Sequence, residues 1–152
     1  MPEIIISDTS CLIILDKVGL SDLLSKLYTQ VYVTPIVAKE FGNKLPEGII
    51  IKEPIDLNLF KALSQVIDQG EASSFALAFE VENSILVLDD RKARAVATTL
   101  NLKFTGTLGI LLKAKKGGIL PSLQSVMDAL AKTDFRISQN VIDRILKEAG
   151  EI

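Results

Sequence analysis

Five acidic residues lie where ordinary surface charges do not belong. Asp8 follows the apolar triplet Ile4-Ile5-Ile6, with only Ser7 between, and Asp89-Asp90 follows Ile85-Leu86-Val87-Leu88 directly. Such β-branched and aliphatic runs read as strands buried on both faces, so these acids mark the carboxyl ends of two strands. Glu40 comes three and four residues after Val37 and Ile36, on the apolar side of a short helix. Glu71 shares a helical face with Phe75 and Ala78. In a parallel sheet, strand ends and the helix starts that follow them share one edge, the edge at which open α/β sheets bind ligands. Carboxylates gathered there repel one another, and a divalent cation is the economical neutraliser. With one or two Mg²⁺ or Mn²⁺ ions, such a site activates water and stabilises an in-line displacement at phosphorus.

Each acid also has a purely structural role open to it. Asp8, and one of Asp89 and Asp90, can cap the helix that follows. Glu71 falls in a first helical turn, where a carboxylate favours the helix dipole. Glu40 can reach the rim from a partly buried position. The remaining acids read as surface charges: Asp128 on the polar side of its helix, Glu47, Glu53, Asp56, Asp68, Glu148 and Glu151 as loop, cap or tail residues, and Asp16 and Asp22 as exposed.

Composition narrows the chemistry. The 152 residues include no His, which removes His-dependent triads, His-ligated zinc and imidazole bases together. Any metal is then oxygen-ligated and hard. The single cysteine, Cys11, precludes an internal disulfide, fits a reducing cytosol, and sits in an apolar run as a packed core residue. A net charge of −2 announces no global nucleic-acid binder, so basic character must be local. No apolar run reaches membrane-spanning length, no basic stretch precedes the first strand, and a cytoplasmic location is the expectation.

The elements that must position the acids follow from periodicity and capping. Strands are expected at Ile4–Ile6, Val31–Val33, Ile49–Ile51, Ser84–Leu88 and Leu102–Phe104. Helices are expected from Cys11 to Asp16, from Ser21 as cap to about Tyr28, and over Ile36–Phe41 behind the start signal Thr34-Pro35. Asp56 caps a helix carrying Leu57, Phe60, Leu63, Val66 and Ile67. Asp68-Gln69-Gly70 breaks it, and Glu71–Val81 resumes. Further helices run from Arg91 to Leu100, from the Thr105-Gly106-Thr107 turn to Lys116, from Pro121-Ser122 to about Lys132, and from Ser138 to Ala149. This alternation predicts one domain over 1–152, a three-layer α/β/α sandwich with a mostly parallel sheet. Its core spans about 3–116, and the helices at about 121–149 form a C-terminal appendage.

Residues suited to a phosphodiester accompany the acids. Ser10 and Thr9 can orient Asp8 or meet a phosphate oxygen. Thr105 and Thr107 flank Gly106 at a helix start, a setting that suits anions. Arg91, Lys92 and Arg94 follow the Asp pair, and Arg94 lies within a turn of it. Lys113, Lys115 and Lys116 form a second basic cluster, readily explained as a complement to a helix C-terminus.

The order Ile-Ser-Asp8-Thr-Ser, Val-Thr-Pro-Ile-Val-Ala-Lys-Glu40-Phe, Gly-Glu71-Ala-Ser and Leu-Asp89-Asp90-Arg-Lys-Ala-Arg94 resembles the PIN domain over Ile4 to about Lys116. More narrowly, it resembles the PIN-like proteins described as predicted nucleic-acid-binding proteins. The resemblance implies a Mg²⁺- or Mn²⁺-dependent ribonuclease, commonly the toxin of a toxin–antitoxin pair. It matches Asp8, Glu40, Glu71 and Asp89 or Asp90 to the four metal-binding and catalytic acids, and Ser10 and Thr105 to positions that often hold a hydroxyl. The third acid is commonly Asp in the family, so Glu71 has a longer reach. Leu88-Asp89-Asp90 replaces the common Thr-x-Asp, which leaves the fourth ligand open between Asp89 and Asp90.

The expectation is therefore an endoribonuclease, with Asp8, Glu40, Glu71, Asp89 and Asp90 at the metal and Ser10, Arg91, Arg94 and Thr105 on single-stranded or structured RNA. Its expected partners are an antitoxin protein and a second copy of itself, since two near-neutral domains can form a groove. The alternative is a PIN-like module that binds RNA or protein without cutting. A phosphotransfer receiver would need a Lys closing the last strand, where Lys103 precedes Phe104 and points poorly. A haloacid-type phosphatase would need Asp-x-Asp, and Ser10 occupies the second place.

Overall fold

The computed structural model describes residues 3–152. Five short parallel strands, β1 (Ile4–Ile6), β2 (Gln30–Val33), β3 (Ile49–Ile51), β4 (Ser84–Val87) and β5 (Phe104–Thr105), form one sheet in the order β3-β2-β1-β4-β5. Helices α1 (Thr9–Lys17) and α2 (Leu23–Leu27) connect β1 to β2, and α3 (Pro35–Phe41) connects β2 to β3. Helices α4 (Leu57–Leu63) and α5 (Gln69–Glu80) carry the chain across to β4, and α6 (Arg91–Thr99) leads to β5. Helices α7 (Thr107–Lys116), α8 (Leu123–Ala131) and α9 (Gln139–Glu148) complete the chain. The expected three-layer α/β/α sandwich is what forms, with an all-parallel sheet.

Alternation along the strands sorts side chains between the layers. Ile5, Val31, Val33 and Val87 pack with α1, α2, α3 and α7. Ile6, Tyr32, Leu86 and Leu88 face Leu63, Phe75, Leu77, Ala93 and Ala97 on α4, α5 and α6. The C-terminal helices are more than an appendage. Leu123, Val126, Met127, Leu130, Ile145 and Leu146 are buried in the first of these cores, so α8 and α9 finish that layer. No helix among the described residues is long and apolar enough to cross a membrane.

Several boundaries differ from the sequence reading. The fifth strand falls on Phe104–Thr105 rather than Leu102–Phe104, because Leu86 and Leu88 donate to the carbonyls of Lys103 and Thr105 and thereby fix its register. Ser21 does not cap α2; its hydroxyl donates to Asp16 instead, and α2 shrinks to five residues. Asp68 does not merely break a helix. It caps α5, which therefore begins at Gln69.

The chain leaves β1 toward β2 on one side, while β4 and β5 occupy the other. The sheet thus changes winding direction between β1 and β4, and this opens a crevice at their carboxyl ends. Asp8 and Asp89-Asp90 stand at the mouth of that crevice.

Candidate active site

Both central strands end in the same way. Ser7 N–H still bonds the Tyr32 carbonyl (3.0 Å), so the chain stays extended until Asp8, which then caps α1 by accepting from Cys11 N–H at Oδ1 (2.9 Å). Leu88 N–H bonds the Thr105 carbonyl (2.8 Å), and Asp90 caps α6 by accepting from Ala93 N–H at Oδ2 (2.9 Å). Each cap uses one carboxylate oxygen and leaves the other outside it. Asp89 is held at both oxygens: Oδ1 accepts from Thr107 N–H (2.9 Å) and Oδ2 from the Thr107 hydroxyl (2.6 Å). Gly106 makes this possible, since a Cβ there would strike the Arg94 guanidinium and come within 3.0 Å of Asp89 Oδ1.

Glu40 is delivered by α3, whose start is fixed by Pro35 and by the Thr34 hydroxyl accepting from Val37 N–H. Its Oε1 accepts from the Thr9 hydroxyl (2.7 Å), so Thr9 orients Glu40 rather than Asp8. Asp68 accepts from Glu71 N–H (2.9 Å) and so stands beside Glu71 at the start of α5.

Two adjoining hollows of about 600 and 400 Å³ share Asp8, Ser10, Asp68 and Glu71. The larger adds Asp89, Asp90 and Lys92, and the smaller adds Thr9, Glu40 and Gly70. All five acids expected from the sequence therefore line one continuous depression, together with Ser10. Asp68 is a sixth, which sequence reading placed among loop and cap charges. Its signal was the Asp-x-x-Glu spacing of a helix start, which puts it against Glu71.

Arg91, Arg94 and Thr105 stay outside the acidic depression; they line a neighbouring cleft that shares Asp89 with it. Successive helical residues turn by about 100°, so Lys92 enters the acidic hollow while Arg91 and Arg94, three apart, share the other face. Of the two threonines that flank Gly106, Thr107 is the one whose hydroxyl meets an acid. Thr105 belongs to β5, with its Oγ1 against Gly109. Two of the clustered lysines have structural partners: Lys113 is paired to Glu3 and lies over Tyr28, and Lys115 is paired to Glu151. Cys11 is fully buried, and burial together with Asp8 pushes its thiol pKa upward.

The electrostatics record the crowding. Burial pushes the Asp8 carboxyl up to about 7, opposed by Cys11 N–H and reinforced by the Asp89 charge. Glu71 rises to about 8, first through burial, then through Asp68, Asp90 and Asp8. Among the described residues, no ion pair involves Asp8, Glu40, Asp68, Glu71, Asp89 or Asp90. Nor do any three of the acids stand close enough, as placed, to enclose an ion. The donor set is nonetheless that of a hard divalent cation: oxygen only, with Asp8 and Asp90 each keeping one oxygen outside its cap and long, adjustable Glu40 and Glu71 opposite.

No curated protein matches the chain. A family model described as PIN domain matches residues 4–151, almost all of it. Strand order, the acids at the winding switch and this match agree: the chain belongs to the PIN-domain family.

Proposed function

We propose that the protein is a metal-dependent endoribonuclease. PIN domains are generally nucleases that use divalent metal ions. The observation that carries the proposal is the depression at the carboxyl ends of β1 and β4, where six carboxylates meet with Lys92 as the only basic residue in the lining. Asp8, Asp90, Glu71 and Glu40 would hold Mg²⁺ or Mn²⁺. When bound, the cation neutralises the gathered charge and lowers the pKa of water for attack at phosphorus. Asp89, fixed by Thr107, sets the field at Asp8 and is the less available ligand of the pair. Glu71, with its pKa near 8, keeps a proton at neutral pH in the metal-free protein. Ser10, exposed beside Asp8, is placed to meet a phosphate oxygen. Hydrolysis in this arrangement leaves a 5′-phosphate and a 3′-hydroxyl.

The test is cleavage of a fluorescent RNA with Mn²⁺, with EDTA, and with Asp8→Asn carried through the same purification. Activity that needs the metal and is lost in Asp8→Asn is expected. Equal activity in the variant would mark contamination, and metal binding without turnover would favour a non-catalytic binding module. A toxin role predicts that expression of the wild-type chain arrests growth and that Asp8→Asn does not. For self-association or an antitoxin, the exposed apolar strip of Ile50, Ile51, Ile55 and Leu57 offers the surface.

Thr107 tests the posture of Asp89. Thr107→Val removes the 2.6 Å hydroxyl contact and is expected to lower cleavage about tenfold to a hundredfold, whereas Thr107→Ser retains activity. Equal rates for both variants would show that this contact does not shape the site.

A further inference from the structure

A second cleft of about 670 Å³ opens on the far side of Asp89. One wall carries Arg91 and Arg94 of α6 with Phe104 of β5; the other carries Phe135 and Arg136 before α9, and Arg144 on it. Its single carboxylate, Asp89, has both oxygens committed to Thr107. Among the described residues, none of the four arginines enters an ion pair. Two are braced by backbone carbonyls: Arg94 Nε donates to Leu88 O (2.7 Å), and its guanidinium lies over Phe104, 5.4 Å from the ring centre. Arg136 Nη1 donates to Thr133 O (2.8 Å). Arg91, Arg136 and Arg144 are exposed.

Four permanent cations face one lining carboxylate, Asp89, and the excess of like charge favours a polyanion lying among them. Guanidinium forks suit phosphate oxygens, and half-buried Phe135 stands in the same lining for an unpaired base to stack on. Asp89 lines both this cleft and the acidic hollow, so a strand lying in one leads into the other.

We propose that this cleft grips the flank of a single-stranded RNA whose scissile phosphate lies in the acidic hollow, with Arg136 of the α8–α9 connection and Arg144 of α9 as backbone contacts. The proposal rests on the nuclease reading. It assigns the α8–α9 end of the chain to substrate binding as well as to the core.

The probe is a fluorescent single-stranded RNA whose anisotropy is followed against NaCl in the Asp8→Asn protein. Cleavage kinetics are measured in parallel on the otherwise wild-type chain. Arg136→Ala with Arg144→Ala is expected to weaken binding at least tenfold. It should also reduce the slope of log K against log salt by about 1.4, at about 0.7 per lost phosphate contact on a single strand. In cleavage it should raise KM and leave kcat in place. The exposed lysines Lys61 and Lys103, replaced together by Ala, remove equal charge away from both clefts and should change neither. Unchanged affinity and KM in the double arginine variant would overturn the proposal, while wild-type cleavage would keep the nuclease reading. Arginine-dependent binding without cleavage would sustain the cleft and sink the nuclease reading. Displacement by poly-glutamate but not by unlabelled RNA would assign the cleft to an acidic protein and also overturn the proposal.

Discussion

Asp8→Asn is expected to make the metal-free protein more stable at pH 8.5 while removing its metal response. The Asp8 carboxyl titrates near 7 in the fold against about 3.8 when unfolded. A raised acid pKa means that the folded state holds a proton which the unfolded chain has released. Stability therefore falls as pH rises from about 4 to about 7, and the full deficit persists above that window. Below pH 4 both states are protonated and the deficit vanishes. A three-unit shift corresponds to about 4 kcal/mol at most. Asn can keep the cap, because its side-chain oxygen still accepts from Cys11 N–H. At about 2–4 °C per kcal/mol for a chain of this size, Tm should rise at pH 8.5 in EDTA, by at most roughly 8–16 °C, and stay level at pH 4. Added Mn²⁺ should stabilise the wild type and leave the variant unmoved. A variant no more stable than wild type across this range would show that burial does not penalise the Asp8 charge.

Gly70→Ala should separate activity from stability in the other direction. Gly70 lies in the first turn of α5, and a Cβ there would fall 2.5 Å from Glu40 Oε1 and 3.2 Å from its Cδ. The obstructed atoms are the end of a flexible, exposed side chain, so Glu40 can swing aside at little cost. Alanine meanwhile favours the helix by up to about 1 kcal/mol. Cleavage should fall about a hundredfold, because displacement of a positioned carboxylate by an ångström is enough for that. Tm should hold or rise slightly. Full activity would show that Glu40 does not need its present position.

The features legible in the sequence were those written in consecutive residues. Ile4-Ile5-Ile6 followed by Asp8, and Ile85–Leu88 followed by Asp89-Asp90, declare strand and acid together. Thr34-Pro35 fixes α3 and hence Glu40. Features that depend on distant chain were read incompletely. Asp68 carries an ordinary capping signal, and only the packing of α5 against α3 and β4 brings it into the hollow of Asp8. Thr105 and Thr107 flank one glycine symmetrically in sequence. The register of β5 against β4 decides that Thr107 meets Asp89. Arg136 and Arg144 carry no motif, and they join Arg91 and Arg94 only because α9 folds back over α7.

The sheet register also orders events in time. Ile4 pairs with Ser84, whereas Ile4 pairs with Gln30 on its other side, so the two halves of the acidic depression are joined by the longer closure. Longer loops cost more entropy to close, and non-local parallel pairing forms slowly. Until β4 docks on β1, Asp8 and the Asp89-Asp90 pair are hydrated and far apart. Their repulsion is thus absent from the early chain and enters with the final docking. Interactions that arise so late act chiefly on the rate of escape from the native state. The site's charge then shortens the lifetime of the folded molecule, and a cation bound there would prolong it.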